Sequence, residues 1–161
     1  RGPDSRAASV PGQMPWADLT IEEAEIACGN SSKRICFYSE WVDACQGDGE
    51  WIAREGDIGA PLHESCNAPA YIYEHGQHCD IVPTGSLPKC EAGTPGLFDM
   101  QGNVSEFVYD DALYSAERRE PGVQGANCAV PDSCADVSGQ PSHPGVDTKY
   151  FAIGFRCCAD L

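Results

Sequence analysis

Two carboxylates, Asp99 and Glu106, stand on either side of a Gly102-Asn103 bend, between the aromatic residues Phe98 and Phe107. Hard cations such as Ca²⁺ take several oxygen ligands at once, from carboxylates and main-chain carbonyls. Side-chain oxygens of Asp99 and Glu106, with carbonyls from the Gly102-Asn103-Val104 bend, can converge on one ion. The same residues also read as a Gly-Asn turn that joins two strands and leaves its acids in solvent. Spacing alone leaves both readings open.

Other residues with chemical capacity are more scattered. His75 and His78 could present two imidazoles to a metal, but no helix is evident there and a third ligand is not defined, so they read as solvated loop histidines. No Gly-rich loop precedes a helix in the way a phosphate cradle requires. Asn30-Ser31-Ser32 and Asn103-Val104-Ser105 are glycosylation sequons. Trp16, Trp41 and Trp51 are of a type that stacks on sugars, although Trp41 lies in a helical pattern and reads as core.

The elements that must position these residues are few. Thr20-Ile21-Glu22-Glu23 is a capping box, a hydroxyl followed three residues later by Glu. It opens a short helix with Ile21, Ala24, Ala27 and Cys28 on one face, ended by Gly29-Asn30. A second short helix holds Glu40 to Cys45 and ends at Gln46-Gly47. Residues 48 to 96 show no clear period and need pins to be ordered. Leu97 to Tyr109 suggests two short strands around the Gly-Asn bend. Residues 110 to 149 are loop-rich, and Phe151 to Cys158 reads as a terminal strand. Residues 1 to 14 read as an extended leader or arm, and residues 15 to 161 as a single domain.

Composition narrows the function classes. The chain has 161 residues, 42% of them apolar, enough for one core. The 25 Asp and Glu against 10 Lys and Arg disfavour nucleic acid and anionic membranes as partners. No apolar run is long enough to span a bilayer, and no signal peptide is visible. The ten cysteines are even in number and scattered, without the close ligand pairs of zinc sites. They read as a disulfide framework formed in an oxidising compartment: extracellular, periplasmic or cell-surface.

Three segments together resemble the formylglycine-generating enzyme, or sulfatase-modifying factor, family. Glu22 to Cys28, then Lys33-Arg34-Ile35 and Glu40-Trp41, look like the family's helix, Lys-Arg-Leu turn and Glu-Trp helix. Gly96 to Phe107 looks like its Gly-Leu-Tyr-Asp-Met-x-Gly-Asn-Val-x-Glu-Trp block. Gly154-Phe155-Arg156-Cys157 is similar to its closing Gly-Phe-Arg signature. The resemblance implies an α+β, C-type-lectin-like fold, loop-rich, disulfide-stapled and poor in regular structure, with bound calcium. One ion would take side-chain oxygens of Asp99 and Glu106 and the carbonyls of Gly102 and Val104. A second would use Asn67 and Ala68, with Asp80 a candidate for a further ligand. The resemblance also implies disulfides from Cys28 to Cys157 and from Cys45 to Cys134. Cys36 with Cys158, Cys66 with Cys79, and Cys90 with Cys128 would complete a set whose connectivity sequence alone does not fix.

Two departures from the family matter. Catalytic members carry two active cysteines in the loop before the closing strand, where soft thiolates meet copper. Here only Cys128 is near, out of register, and the other position is Gln124. Family domains also carry further residues ahead of the first helix, including strands of the core sheet, so the expectation is either a shortened variant or a companion chain that completes the sheet through its edge. The expected function is therefore an extracellular, calcium-stabilised binding or assembly module without the catalytic cysteine pair, with a protein partner or a glycan or peptide ligand. The alternative is a copper-dependent oxidoreductase that converts a peptide cysteine to formylglycine, using Cys128 and Cys134.

Overall fold

The computed structural model describes residues 4–47, 66–67, 80–111, 121–124, 134 and 151–160. Helix α1 runs Ile21–Gly29, with Thr20 as its cap: Thr20 Oγ1 accepts from the Glu23 N–H and Glu23 returns the bond to the Thr20 N–H. That reciprocal pair satisfies two donors a helix start otherwise leaves open. Strand β1 is Arg34–Ile35, and helix α2 is Tyr38–Gln46, ended by Gly47 with φ +60°. Glu40 anchors the start of α2. Its carboxylate accepts from the Phe37 N–H and from both terminal nitrogens of Arg34, each at 2.7 Å. These bonds, the guanidinium's above all, hold the Glu40 carboxyl below the usual carboxylate range.

Strands β2 (Ser105–Tyr109), β3 (Pro121–Gln124), β4 (Ile153–Phe155) and β5 (Cys157–Cys158) complete the described elements. They form two small sheets. β1 pairs antiparallel with β5, with Ile35 opposite Cys157. In the other, β2 lies between β3, antiparallel, and β4, parallel, with Ser105 opposite Ile153. Every residue of β2 is buried. Its side chains alternate between faces. Phe107 and Tyr109 enter a cluster with Leu19, Ile21, Ala24, Cys28, Ile35 and Ile153. Val108 enters a second cluster with Cys36, Trp41, Cys45, Met100 and Cys134. Glu106 shares the face of Val108, toward Trp41.

Some expectations from the sequence are met differently. Leu97 to Tyr109 holds one strand, β2, rather than two. The part before it carries positive φ at Asp99 (+59°), Gly102 (+116°) and Asn103 (+66°), a backbone that a pleated strand does not allow. The closing segment is also two strands, because β4 and β5 belong to different sheets and part at Arg156. β3 lies within the stretch read as loop; its Pro121 opens the strand, the place where a ladder tolerates proline. The described part of the segment read as a leader bonds to the rest of the chain. Ala7 N–H donates to Ala27, Ser31 Oγ donates to the Ala7 carbonyl, and Gly12 and Thr84 pair through their backbones. Trp16 meets Phe155 edge-on, ring centroids 5.6 Å apart.

Disulfides join Cys28 to Cys157, Cys36 to Cys158 and Cys45 to Cys134, the three pairs anticipated above. The fourth corrects the expectation: Cys66 pairs with Cys90, not with Cys79, so the Cys90–Cys128 pairing falls as well. Neighbouring backbone bonds explain it. The Asn103 N–H donates to the Asn67 carbonyl and the Asp99 N–H to the Cys90 carbonyl, so one loop draws Cys66 and Cys90 to a Cα separation of 4.8 Å. Cys79, Cys128, Ala68, His75, His78 and Trp51 lie outside the described residues.

The Cys28–Cys157 bridge spans a sequence separation of 129. A loop of that size restricts the unfolded chain by about 4–5 kcal/mol in the chain-entropy treatment. The Cys28→Ala/Cys157→Ala double variant should lose stability of that order in urea unfolding. A loss below about 1 kcal/mol would show that the bridge constrains little.

Candidate functional site

Glu106 is the centre of the region that the sequence marks. Buried strand β2 carries it inward, and two elements meet its carboxylate. From the junction of β4 and β5, Arg156 donates Nη2 to Oε1 at 2.8 Å and Nε to Oε2 at 3.0 Å. From α2, the Trp41 indole Nε1 donates to Oε2 at 2.6 Å. Arg156 Nη2 also reaches the Phe98 carbonyl at 3.1 Å. Such forked guanidinium–carboxylate contacts are strong and directional. Side-chain exposure is 7% for Glu106 and 23% for Arg156, so the pair is screened by water only from the arginine side.

Asp99 lies next to Phe98 and is buried. Its Oδ2 accepts from the Gly85 N–H at 2.7 Å. Burial pushes its carboxyl above the ordinary range; the Gly85 bond and the charge of Arg156 oppose this, and the charge of Glu106 adds to it. Asp99 and Glu106 thus share the influence of one guanidinium, which of the two bonds directly only to Glu106.

The bend between them is held by a polar knot. Asn103 is 1% exposed. Its Oδ1 accepts from the Val82 N–H and from Asn67 Nδ2, and its own Nδ2 donates to the Val82 carbonyl. Asn67 Nδ2 also donates to the Asp80 carbonyl at 2.9 Å. Gly102 is required here: a Cβ on it would lie 2.7 Å from the Asn67 carbonyl oxygen. Through these bonds Asn67 and Asp80 are tied to the bend that leads from Asp99 to Glu106 at the start of β2. The Asn103 sequon is buried inside it.

The model of the sulfatase-modifying factor enzyme 1-like domain matches residues 1–161, the whole chain. The chain belongs to the sulfatase-modifying-factor family. Among solved structures it is similar to "Crystal Structure of CarF", with a TM-score of 0.55 and 20% identity over 78% of this chain. That likeness shows the fold, an α+β architecture stapled by disulfides. The match covers 46% of CarF, so the chain spans less than half of that protein's length. No curated protein matches. Among the described residues no helix is long and apolar enough to cross a membrane.

The residues fit the family's calcium in type. Both side chains are hard oxygen donors, and the positive-φ bend between them adds main-chain carbonyls of the type such an ion takes. Among the described residues no three acidic, His or Cys side chains converge, so main-chain oxygens and water would have to fill the coordination sphere. On Glu106, Oε2 takes two hydrogen bonds and Oε1 one. An oxygen with two lone pairs then keeps one acceptor position on Oε1.

Two parts of the site are not obvious from the motif. Arg156 as the partner of Glu106 has a faint signal: a cation in an otherwise apolar closing strand has to be paired if the strand is buried. The Gly85 contact has none, since it joins two irregular loops.

Asp99 generates a pH prediction. A carboxyl raised in the folded state favours folding most at low pH, where it is protonated folded and unfolded alike. That contribution is lost as pH rises through the raised value. Asp99→Asn keeps an acceptor for the Gly85 N–H and removes the buried charge. In metal-free buffer at neutral pH the variant should melt at or above the wild type, and the gap should close on acidification. A variant that melts well below the wild type at neutral pH would show that the charge is stabilising there.

Proposed function

We propose that this member of the sulfatase-modifying-factor family is an extracellular, calcium-stabilised binding or assembly module that lacks the family's catalytic thiol pair. The observation that carries the reading is the Cys45–Cys134 disulfide. Copper chemistry on Cys128 and Cys134 needs both sulfurs as thiolates, and Cys134 is spent on a structural bridge. Four disulfides among the described residues support an oxidising compartment. They hold together a chain with few regular elements, and loops on such a scaffold suit recognition. The ligand class is a protein partner, which includes a companion chain, or a glycan or peptide. Calcium at Asp99 and Glu106, with the carbonyls of Gly102 and Val104, offsets the burial of the two acids. A second ion at Asn67 and Ala68 belongs to the same reading.

Thiol titration of the unreduced, denatured protein separates this from the oxidoreductase. The module predicts no free thiols; two reactive thiols per chain would favour the enzyme. Calcium has its own test. A ligand that binds only the folded state stabilises it by about 2.7 kcal/mol at a hundredfold excess over Kd. Melting should therefore rise on adding calcium to chelator-treated protein, and Asp99→Asn should abolish most of the rise. Identical melting in chelator and calcium would remove the ion from the account.

A further inference from the structure

Arg156 stands where a cation bound between Asp99 and Glu106 would have to share its ligands. Its guanidinium already holds both oxygens of Glu106, at 2.8 Å and 3.0 Å. Its charge acts on Asp99 too. Nη2 is fixed further by the Phe98 carbonyl, one residue before Asp99. The formal charge of the two acids is reduced by one unit, from a group on the closing segment of the chain.

We propose that Arg156 sets the cation affinity of this site, by competing with the divalent ion for Glu106. The inference rests on the calcium reading above and adds a residue that is not a ligand. A divalent ion at Glu106 meets the like charge of the guanidinium at short range, where charges partly shielded from water interact strongly. An ion at the acceptor position left on Oε1 therefore works against the fork, while the Trp41 indole continues to hold Oε2. Because Arg156 joins β4 to β5, and Cys157 and Cys158 follow it directly, the bridges to Cys28 and Cys36 limit how far it can withdraw. The arginine is thus a tethered counter-ion. It stabilises the acids when no ion is present and lowers the affinity when one arrives.

The experiment is calcium titration calorimetry on wild type, Arg156→Gln and Arg156→Lys, with melting in chelator and in saturating calcium. Arg156→Gln should bind calcium at least about tenfold more tightly than wild type. It should melt lower than wild type in chelator and gain more on calcium addition. Arg156→Lys keeps the charge and should stay within about threefold of wild type. Equal or weaker binding by Arg156→Gln, with wild type binding normally, overturns the role of Arg156 and leaves the calcium reading standing. Binding by Arg156→Gln alone supports the competition and overturns calcium as the natural occupant. No binding by any of the three overturns both. Should Arg156→Gln fail to fold, nitrogen-15 NMR of the wild-type arginine side chains decides: the Arg156 Nε–H signal should shift on calcium saturation, and an unmoved signal overturns the proposal.

Discussion

The ion pair between Glu106 and Arg156 is the contact on which the rest of the structure turns. It joins the central strand of the larger sheet to the junction of the two closing strands, with Trp41 of α2 as a third member. Removing one partner of such a pair leaves a charge in a poorly solvated place, which costs far more than the pair itself contributes. That asymmetry makes the three groups interdependent. It also explains why β2 can be buried on both faces and still carry an acid. The carboxylate is not an intrusion into the core, because the sequence supplies one forked cation and one indole donor to meet it.

Around this contact the described protein has little regular structure to share the load. Helices of nine residues and strands of two to five residues leave few backbone ladders. Side chains take over work that ladders do elsewhere. Asn103 pairs with Val82 through both amide atoms, as a strand residue pairs with its neighbour. Glu40 and Arg34 fix the corner between β1 and α2, and Phe37 packs under the same guanidinium at 4.8 Å. Two of the disulfides, at Cys28 and Cys36, end on adjacent residues of β5 and so clamp the short β1–β5 sheet from both sides.

Much of this was legible in the residues. The capping box at Thr20 is a local signal, because both bonds lie within four residues, and it marks α1 correctly. The Gly102-Asn103 bend was visible as a place of unusual backbone, since only such residues accept positive φ readily. The helical face around Cys28 pointed to a bridge with the end of the chain once the family pattern was in view. What sequence did not disclose is non-local. Whether Cys66 meets Cys79 or Cys90 depends on where Asn67 and Asp99 anchor their neighbours. Whether Glu106 faces solvent or Arg156 depends on the burial of β2 on both sides. β3 is short and starts with proline, so its pattern resembles a loop until its partner strand is known.

The linkage between Cys28 and Cys157 has a consequence for how the molecule responds to proteolysis. A protease that cuts the backbone anywhere between those two positions produces fragments that stay attached, because one piece carries Cys28 and the other Cys157. A single nick between them therefore leaves the particle whole. Only a nick combined with a reductant would release its parts.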